Sequence, residues 1–417
     1  MAIAWQQPLP SIYNQLSAPE VAIRIQSARD HLGSRLVILG HHYQQDGIID
    51  FADFVGDSYE LSRKAAQQTG IDYVVFCGVH FMAESADILT DPRVRVILPD
   101  LGAGCSMADM ASLEQTEEAW EQLYGALAAG QSVVPITYMN SSAAIKAFVG
   151  EHGGAVCTSS NCRNVLEWAL RKSSASDSQL SDAADRTAKP GNDSQAIGKP
   201  KILFFPDQHL GRNTAYAMGY PLDKMIVWDP RRDLGGNTAE QIRNADFILW
   251  KGHCSVHALF RPEHVDDVRK KYPDMKVIVH PECKWEVVQK ADLAGSTAYI
   301  VDQIRKATPG SQWAVGTEVH LINRLAREHP DQKIIVLSDC QCLCTTMYRI
   351  DPPHLCWVLE NLVAGKVVNE IKVDNHTRQF ATIALQRMLA IKATGTPPAR
   401  ARSEDAVQIS TDPSIDD

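Results

Sequence analysis

The sequence predicts an α/β fold with parallel sheets, on three observations. Nine short runs are continuously apolar and rich in β-branched residues. Helical stretches separate them, and the loops that follow gather polar, reactive side chains. A strand that is apolar throughout, without alternation, is covered by helices on both faces, as strands of parallel sheets are. Alternation of such strands with helices implies right-handed crossovers between parallel neighbours.

An amphipathic helix is expected first, around residues 18–32. The strands follow in order as RLVILG (35–40), DYVVFCG (72–78), VRVILPD (94–100), SVVPITY (132–138), KILFFPD (201–207), KMIVWDP (224–230), DFILW (246–250), MKVIVHPE (275–282) and KIIVLSD (333–339). Two segments break the pattern. Residues 172–199 and the tail from about 395 are rich in Ser, Asp, Ala and Gly and poor in large apolar groups, the composition of a disordered insertion and tail without chemistry. No short repeat recurs, which argues against a solenoid or propeller.

The 417 residues suggest two to four domains of ~100–200 residues each. With 45% hydrophobic and 22% charged residues the chain can bury a large core. A net charge of −9 argues against nucleic acid as a partner, because phosphate binding wants a basic face. The start MAIAWQQPLP lacks the charged-then-apolar pattern of a secretion signal, and no apolar run approaches the ~18 residues of a membrane span. The expected location is the cytoplasm, where the ten cysteines would remain thiols. Cys77 and Cys356, inside apolar runs, read as buried small side chains.

Three other cysteines stand apart. Cys105, Cys254 and Cys344 each follow an apolar run, where a strand ends and a loop begins. Ligands of open α/β sheets collect outside the carboxyl ends of strands. Three such ends would offer three thiolates to one centre and leave one metal position open to substrate. The run CQCLC has one-residue gaps, unlike the paired cysteines of structural zinc sites. Spacing alone leaves an iron–sulfur cluster, a zinc ion and an oxidisable Cys340–Cys342 pair as alternatives.

His41, Tyr43, Tyr138, Asn140, His280 and Glu282 occupy equivalent positions at strand ends. Asp57 and Glu60 have capping-box spacing, which places Ser58 in the first turn of a helix. Ser159 and Thr297 are likewise expected at helix starts. Free amides and the helix dipole suit carboxylate or phosphate there, and three such sites beside thiols point to a small polyanionic substrate.

The motifs GHHYQ, FVGDS, FMAE, CSMAD, TYMNS, CTSSN, GHCSVH, VHPEC, GST and Cys344-Thr-Thr-Met347 occur in the order found in quinolinate synthases, from about residue 35 to 390. The chain resembles that family, which makes the pyridine ring for NAD. The resemblance implies three similar α/β/α parallel-sheet domains around a pseudo-threefold axis, with the active site in the central cavity. The expected boundaries are 1–115, 116–260 and 261–394, followed by a tail over 395–417. It further implies a [4Fe–4S] cluster on Cys105, Cys254 and Cys344, the last chosen because Met lies three residues on. The implied reaction condenses iminosuccinate with dihydroxyacetone phosphate, with an aspartate oxidase or dehydrogenase as upstream partner. Glu282 and His280 become the acid–base candidates and Tyr43 a proton relay. His41, Ser58, Tyr138, Asn140, Ser159 and Thr297, with His280 and Glu282, become the binding set.

Two departures stand out. Ser106 and Ser255 occupy positions where many members have Pro, and C-x-C-x-C replaces the C-x-x-C-x-x-C of some bacterial members. Rival readings are a non-catalytic iron–sulfur sensor and a zinc-dependent hydrolase or lyase.

Overall fold

The computed structural model describes residues 6–172, 199–339 and 343–391. All nine apolar runs form strands, and the first long helix spans Ala18–Leu32. The first sheet contains β1 (Leu36–His41), β2 (Phe54–Gly56), β3 (Tyr73–Cys77) and β4 (Arg95–Ile97). The second contains β5 (Val133–Tyr138), β6 (Ala155–Cys157), β7 (Lys201–Phe205), β8 (Met225–Trp228) and β9 (Phe247–Trp250). The third contains β10 (Lys276–Val279), β11 (Leu293–Ala294), β12 (Gln312–Gly316) and β13 (Lys333–Val336). Every pair within these strands is parallel. Sequence patterning missed β2, β6, β11 and β12. Three of them have only two or three residues, too few to show an apolar run.

The three sheets share one winding order. In each, the second strand lies on one side of the first and the third lies on the other: β2-β1-β3-β4, β6-β5-β7-β9 and β11-β10-β12-β13, with β8 added outside β9. The molecule is thus three parallel α/β units of one topology, each sheet flanked by helices. Its strand interiors are shut from water, with Ile38, Val75, Ile136, Phe204, Leu249, Ile278 and Val315 all at 0% exposure. Burying side chains of this kind contributes roughly 1.5–3 kcal/mol each. Cys77 and Cys356 are buried as expected.

After the third unit the chain returns to the first two. The helix Pro352–Val363 packs on Ala18–Leu32, where Glu360 accepts from Tyr13 at 2.6 Å and from the Arg24 guanidinium at 2.7 and 2.6 Å. Strand β14 (Glu370–Ile371) then pairs antiparallel with β4. The final helix, Asn375–Ala390, lies on Ala143–Glu151 of the second unit. The closeness of that contact requires Gly150, because a Cβ there would sit 2.0 Å from the Phe380 carbonyl oxygen.

Residues 173–198, Cys340, Cys342 and the tail from 392 lie outside the described residues, so the expected insertion, thiol pair and tail have no structural account. Among the described residues no helix is long and apolar enough to cross a membrane.

Candidate active site

The shared winding order determines which side chains meet. The carboxyl end of the first strand of each unit and the loop after it supply His41 and Tyr43, Tyr138 and Asn140, and His280 and Glu282. The loop after the second strand supplies Ser58, Ser159 and Thr297. The loops after β4, β9 and β13, the fourth strands in the shared order, supply Cys105, Cys254 and Cys344. All twelve line one cavity. Parallel strands place their carboxyl ends at one edge of each sheet, and the three edges converge there.

Local sequence explains the loop shapes. Asp57 caps Ser58–Ala66 by accepting from the amides of Tyr59 and Glu60 at 2.9 Å, completing the expected capping box and setting Ser58 at the first helical position. Ser296 caps Thr297–Arg305 by accepting from the Tyr299 amide at 3.2 Å. Ser159 departs from expectation, because its helix begins only at Cys162. Asn161 closes a turn over Thr158, accepting from its amide at 2.9 Å, and so holds Ser159 ahead of the helix. Gly252 lets the Cys254 loop approach the end of β7, since a Cβ would lie 2.4 Å from the Pro206 carbonyl oxygen. Beyond it, the Cys254 amide donates to Asp207 Oδ2 at 3.2 Å.

Each cysteine sulfur faces backbone N–H groups of residues two or three positions after it in the chain. The donors are Met107 and Ala108 for Cys105, His257 for Cys254, and Thr346 and Met347 for Cys344. Burial pushes all three thiols up, Cys105 to about 12, while these amides favour the thiolate. Amide-cradled sulfurs sunk in a cavity suit a metal ion or cluster, whose charge would offset theirs.

Beside the Cys254 thiol stands Glu282, 2% exposed. Burial alone would raise its carboxyl. The neighbouring His257 imidazole and the Tyr138 hydroxyl outweigh this and hold it below the usual carboxylate range, so it is a carboxylate. His257 Nδ1 lies 2.6 Å from Glu282 Oε2, within ion-pair reach but not aligned as a hydrogen bond. The His257 ring stacks on His280 at 4.5 Å. Burial depresses His280 and His41 to about 3, so both face the cavity as neutral imidazoles. Tyr43 Oη lies 3.0 Å from Thr297 Oγ1 and 2.8 Å from Thr317 Oγ1, and Thr317 Oγ1 lies 3.2 Å from His257 Nε2. Exchangeable protons therefore line up from Tyr43 through Thr317 to His257, whose other ring nitrogen faces Glu282. Asn140 Oδ1 is buried without a hydrogen-bond partner among the described residues, an acceptor left for a ligand.

Sequence reasoning missed His257. It lies three residues beyond Cys254, on the short helix Ser255–Ala258, and lines the same cavity. The Cys-x-x-His spacing was the available signal. Cys254, His257 and Glu282 also put one ligand atom each within 4.8 Å of one another, a second metal-capable grouping that shares Cys254. Thr317 and Asn213 were invisible as well, because they act on cavity residues from behind.

Comparison with known proteins gives the chain's family. The family model for quinolinate synthetase A protein matches residues 23–187 and 193–390. A quinolinate synthase of Acidobacterium capsulatum is 54% identical over 386 residues, covering 92% of this chain and 96% of its own. One from Herpetosiphon aurantiacus is 54% identical over 381 residues, covering 91% and 94%. One from Corynebacterium glutamicum is 48% identical over 404 residues, covering 96% and 95%.

Proposed function

We propose, for a chain that belongs to the quinolinate synthetase A family, that it makes quinolinate for NAD synthesis from iminosuccinate and dihydroxyacetone phosphate, using a [4Fe–4S] cluster on Cys105, Cys254 and Cys344. The observation that carries this reading is the threefold delivery of one amide-cradled thiol per unit into a single cavity. Three soft ligands from three separate loops fit an iron–sulfur cluster better than a zinc ion, which prefers closely spaced pairs. When bound, such a cluster would offer an iron without a protein ligand as a Lewis acid toward a substrate carboxylate or hydroxyl.

The chain's own groups divide the remaining work. The balanced reaction joins the two substrates and releases one phosphate and two waters. It therefore needs proton removals and returns at carbon and oxygen. Glu282, ionised and buried, is the general base, and general acid–base help of this kind contributes about 10²–10⁴-fold. Neutral His280 donates or accepts a hydrogen bond without adding charge. His257 and Thr317 connect Glu282 to the Tyr43 hydroxyl, which returns a proton to the opposite side of the intermediate.

Ser58 and Thr297 sit at helix N-termini and Ser159 just ahead of one, where amides and hydroxyls receive carboxylates and phosphate. His41, Tyr138 and Asn140 orient the substrate between them. Iminosuccinate hydrolyses readily, so a reaction oxidising aspartate must supply it, by an oxidase or a dehydrogenase.

The test is anaerobic reconstitution with iron and sulfide, then an assay for quinolinate from the two substrates, with Cys344→Ala alongside. Quinolinate from the wild type, lost together with the brown cluster in the variant, is the expected result. A brown protein without turnover would favour an iron–sulfur sensor. A colourless, active protein would favour zinc.

A further inference from the structure

The helix Ala143–Glu151 is almost wholly buried, and one of its buried residues is charged: Lys146, at 0% exposure. Lysines are almost never fully buried unless paired. The other buried lysine obeys that rule, since Lys201 Nζ donates to the carbonyls of Arg243 and Ala245 at 2.7 and 2.6 Å. Lys146 is satisfied much less. Its Nζ donates to the Ser141 carbonyl oxygen and stands 5.3 Å from the centre of the Phe81 ring. Among the described residues no carboxylate lies within ion-pair distance of it.

Glu84 influences the ammonium through space, but its oxygens are engaged elsewhere. Oε2 accepts from the Ala143 amide at 2.9 Å, and Oε1 faces His80 Nδ1 at 3.7 Å. The other group whose charge would act on Lys146, once its thiol is ionised, is Cys105. Phe81, whose ring lies against the ammonium, lines the cavity alongside Cys105. A cation has thus been sealed into the seam between the first two units, directly behind the thiol cavity, at a desolvation cost that no carboxylate contact returns.

We infer that Lys146 is the fixed counter-charge of the thiolate centre: its buried ammonium, held by the Ser141 carbonyl behind Phe81, offsets the negative charge that collects at Cys105 when the three cysteines act as ligands. This rests on the cluster reading above. The same hydrogen bond steadies the loop Tyr138–Ser141, so one side chain couples the charge of the metal centre to the placement of Tyr138 and Asn140. Lys146 is a positioning residue and touches no substrate.

The potential of an iron–sulfur centre follows the net charge around it. Removing a nearby cation makes the reduced, more negative state harder to reach, whereas removing a nearby anion makes it easier. Wild type, Lys146→Met, Lys146→Arg and Glu84→Gln should therefore be reconstituted anaerobically, assayed for iron and sulfide, and titrated redox-wise with detection by electron paramagnetic resonance.

Full cluster content in all four is expected. The potential should shift negative in Lys146→Met, stay near wild type in Lys146→Arg, and shift positive in Glu84→Gln. A fully loaded Lys146→Met protein with the wild-type potential would overturn the inference. Should that variant fail to fold, Lys146→Gln against Lys146→Arg decides it, since both disturb packing but only one removes charge; equal potentials in the two would overturn it. A wild-type protein that takes up no cluster would instead refute the cluster reading itself.

Discussion

The Asn213 side-chain amide donates 2.8 Å hydrogen bonds to the carbonyl oxygens of both Pro281 and Cys283, so the residues on either side of Glu282 hang from one residue of the second unit. The carboxylate is therefore aimed by a neighbouring unit. Asn213→Ala frees both carbonyls inside the protein. The expected cost is about 1–3 kcal/mol of stability, with kcat falling roughly 10–100-fold and KM changing less. Thermal unfolding and steady-state kinetics check this, and an unchanged kcat would refute the aiming role.

Glu282→Gln keeps the shape of the site and removes the base. Turnover should fall at least about 100-fold, while cluster content stays at the wild-type level by iron and sulfide analysis. Full turnover in this variant would remove Glu282 from the chemistry.

Chelation should distinguish the cavity thiols from the others. Cys105→Ala, Cys254→Ala and Cys344→Ala should each lose the brown colour and all activity, as should wild type after anaerobic chelator treatment. Cys77→Ala, at a buried position away from the cavity, should keep both. Retention of four irons per chain by any of the first three would exclude that cysteine as a ligand.

Acid should weaken the fold through its buried imidazoles. Burial, with Arg324 and Arg305 nearby, depresses His42 to about 3, and Glu60 Oε2 at 3.9 Å does not reverse this. A group whose folded pKa lies below its unfolded value of about 6.5 contributes stability above that value and loses it as pH falls toward 3. The melting temperature should therefore drop between pH 7 and 4, and His42→Gln should flatten the slope. A variant curve parallel to wild type would show that His42 is not a source of the acid sensitivity.

Gly150→Ala tests the seal made by the last helix. The added methyl meets the Phe380 backbone, which cannot move aside as a side-chain tip could. Overpacking of this kind costs about 1–3 kcal/mol or more, so the melting temperature should fall clearly. An unchanged value would mean that the helix Asn375–Ala390 shifts without penalty.

Much of this was legible in the chain itself. Continuous apolar runs announced parallel strands, because burial on both faces leaves no reason for alternation. Reactive residues at their ends, and the D-x-x-E box that contains Ser58, marked which edge of the sheets would hold the site. These are local signals, carried by a few adjacent residues. The two- and three-residue strands β2, β6 and β11 were not legible, since they exist only because a neighbouring strand offers hydrogen bonds.

Tertiary structure alone decided who meets whom. Strand patterning cannot show that three sheets wind in the same order, and that order is what brings the loops of Cys105, Cys254 and Cys344 to one cavity. Nor can it show His257 against Glu282, Asn213 gripping the Glu282 loop, or Lys146 sealed behind Phe81. Each of these joins residues distant in sequence across a boundary between elements or units. Sequence determined the strands, the reactive loops and the donor types; packing determined their common centre, because charge and hydrogen-bond geometry depend on distances that only the assembled fold supplies.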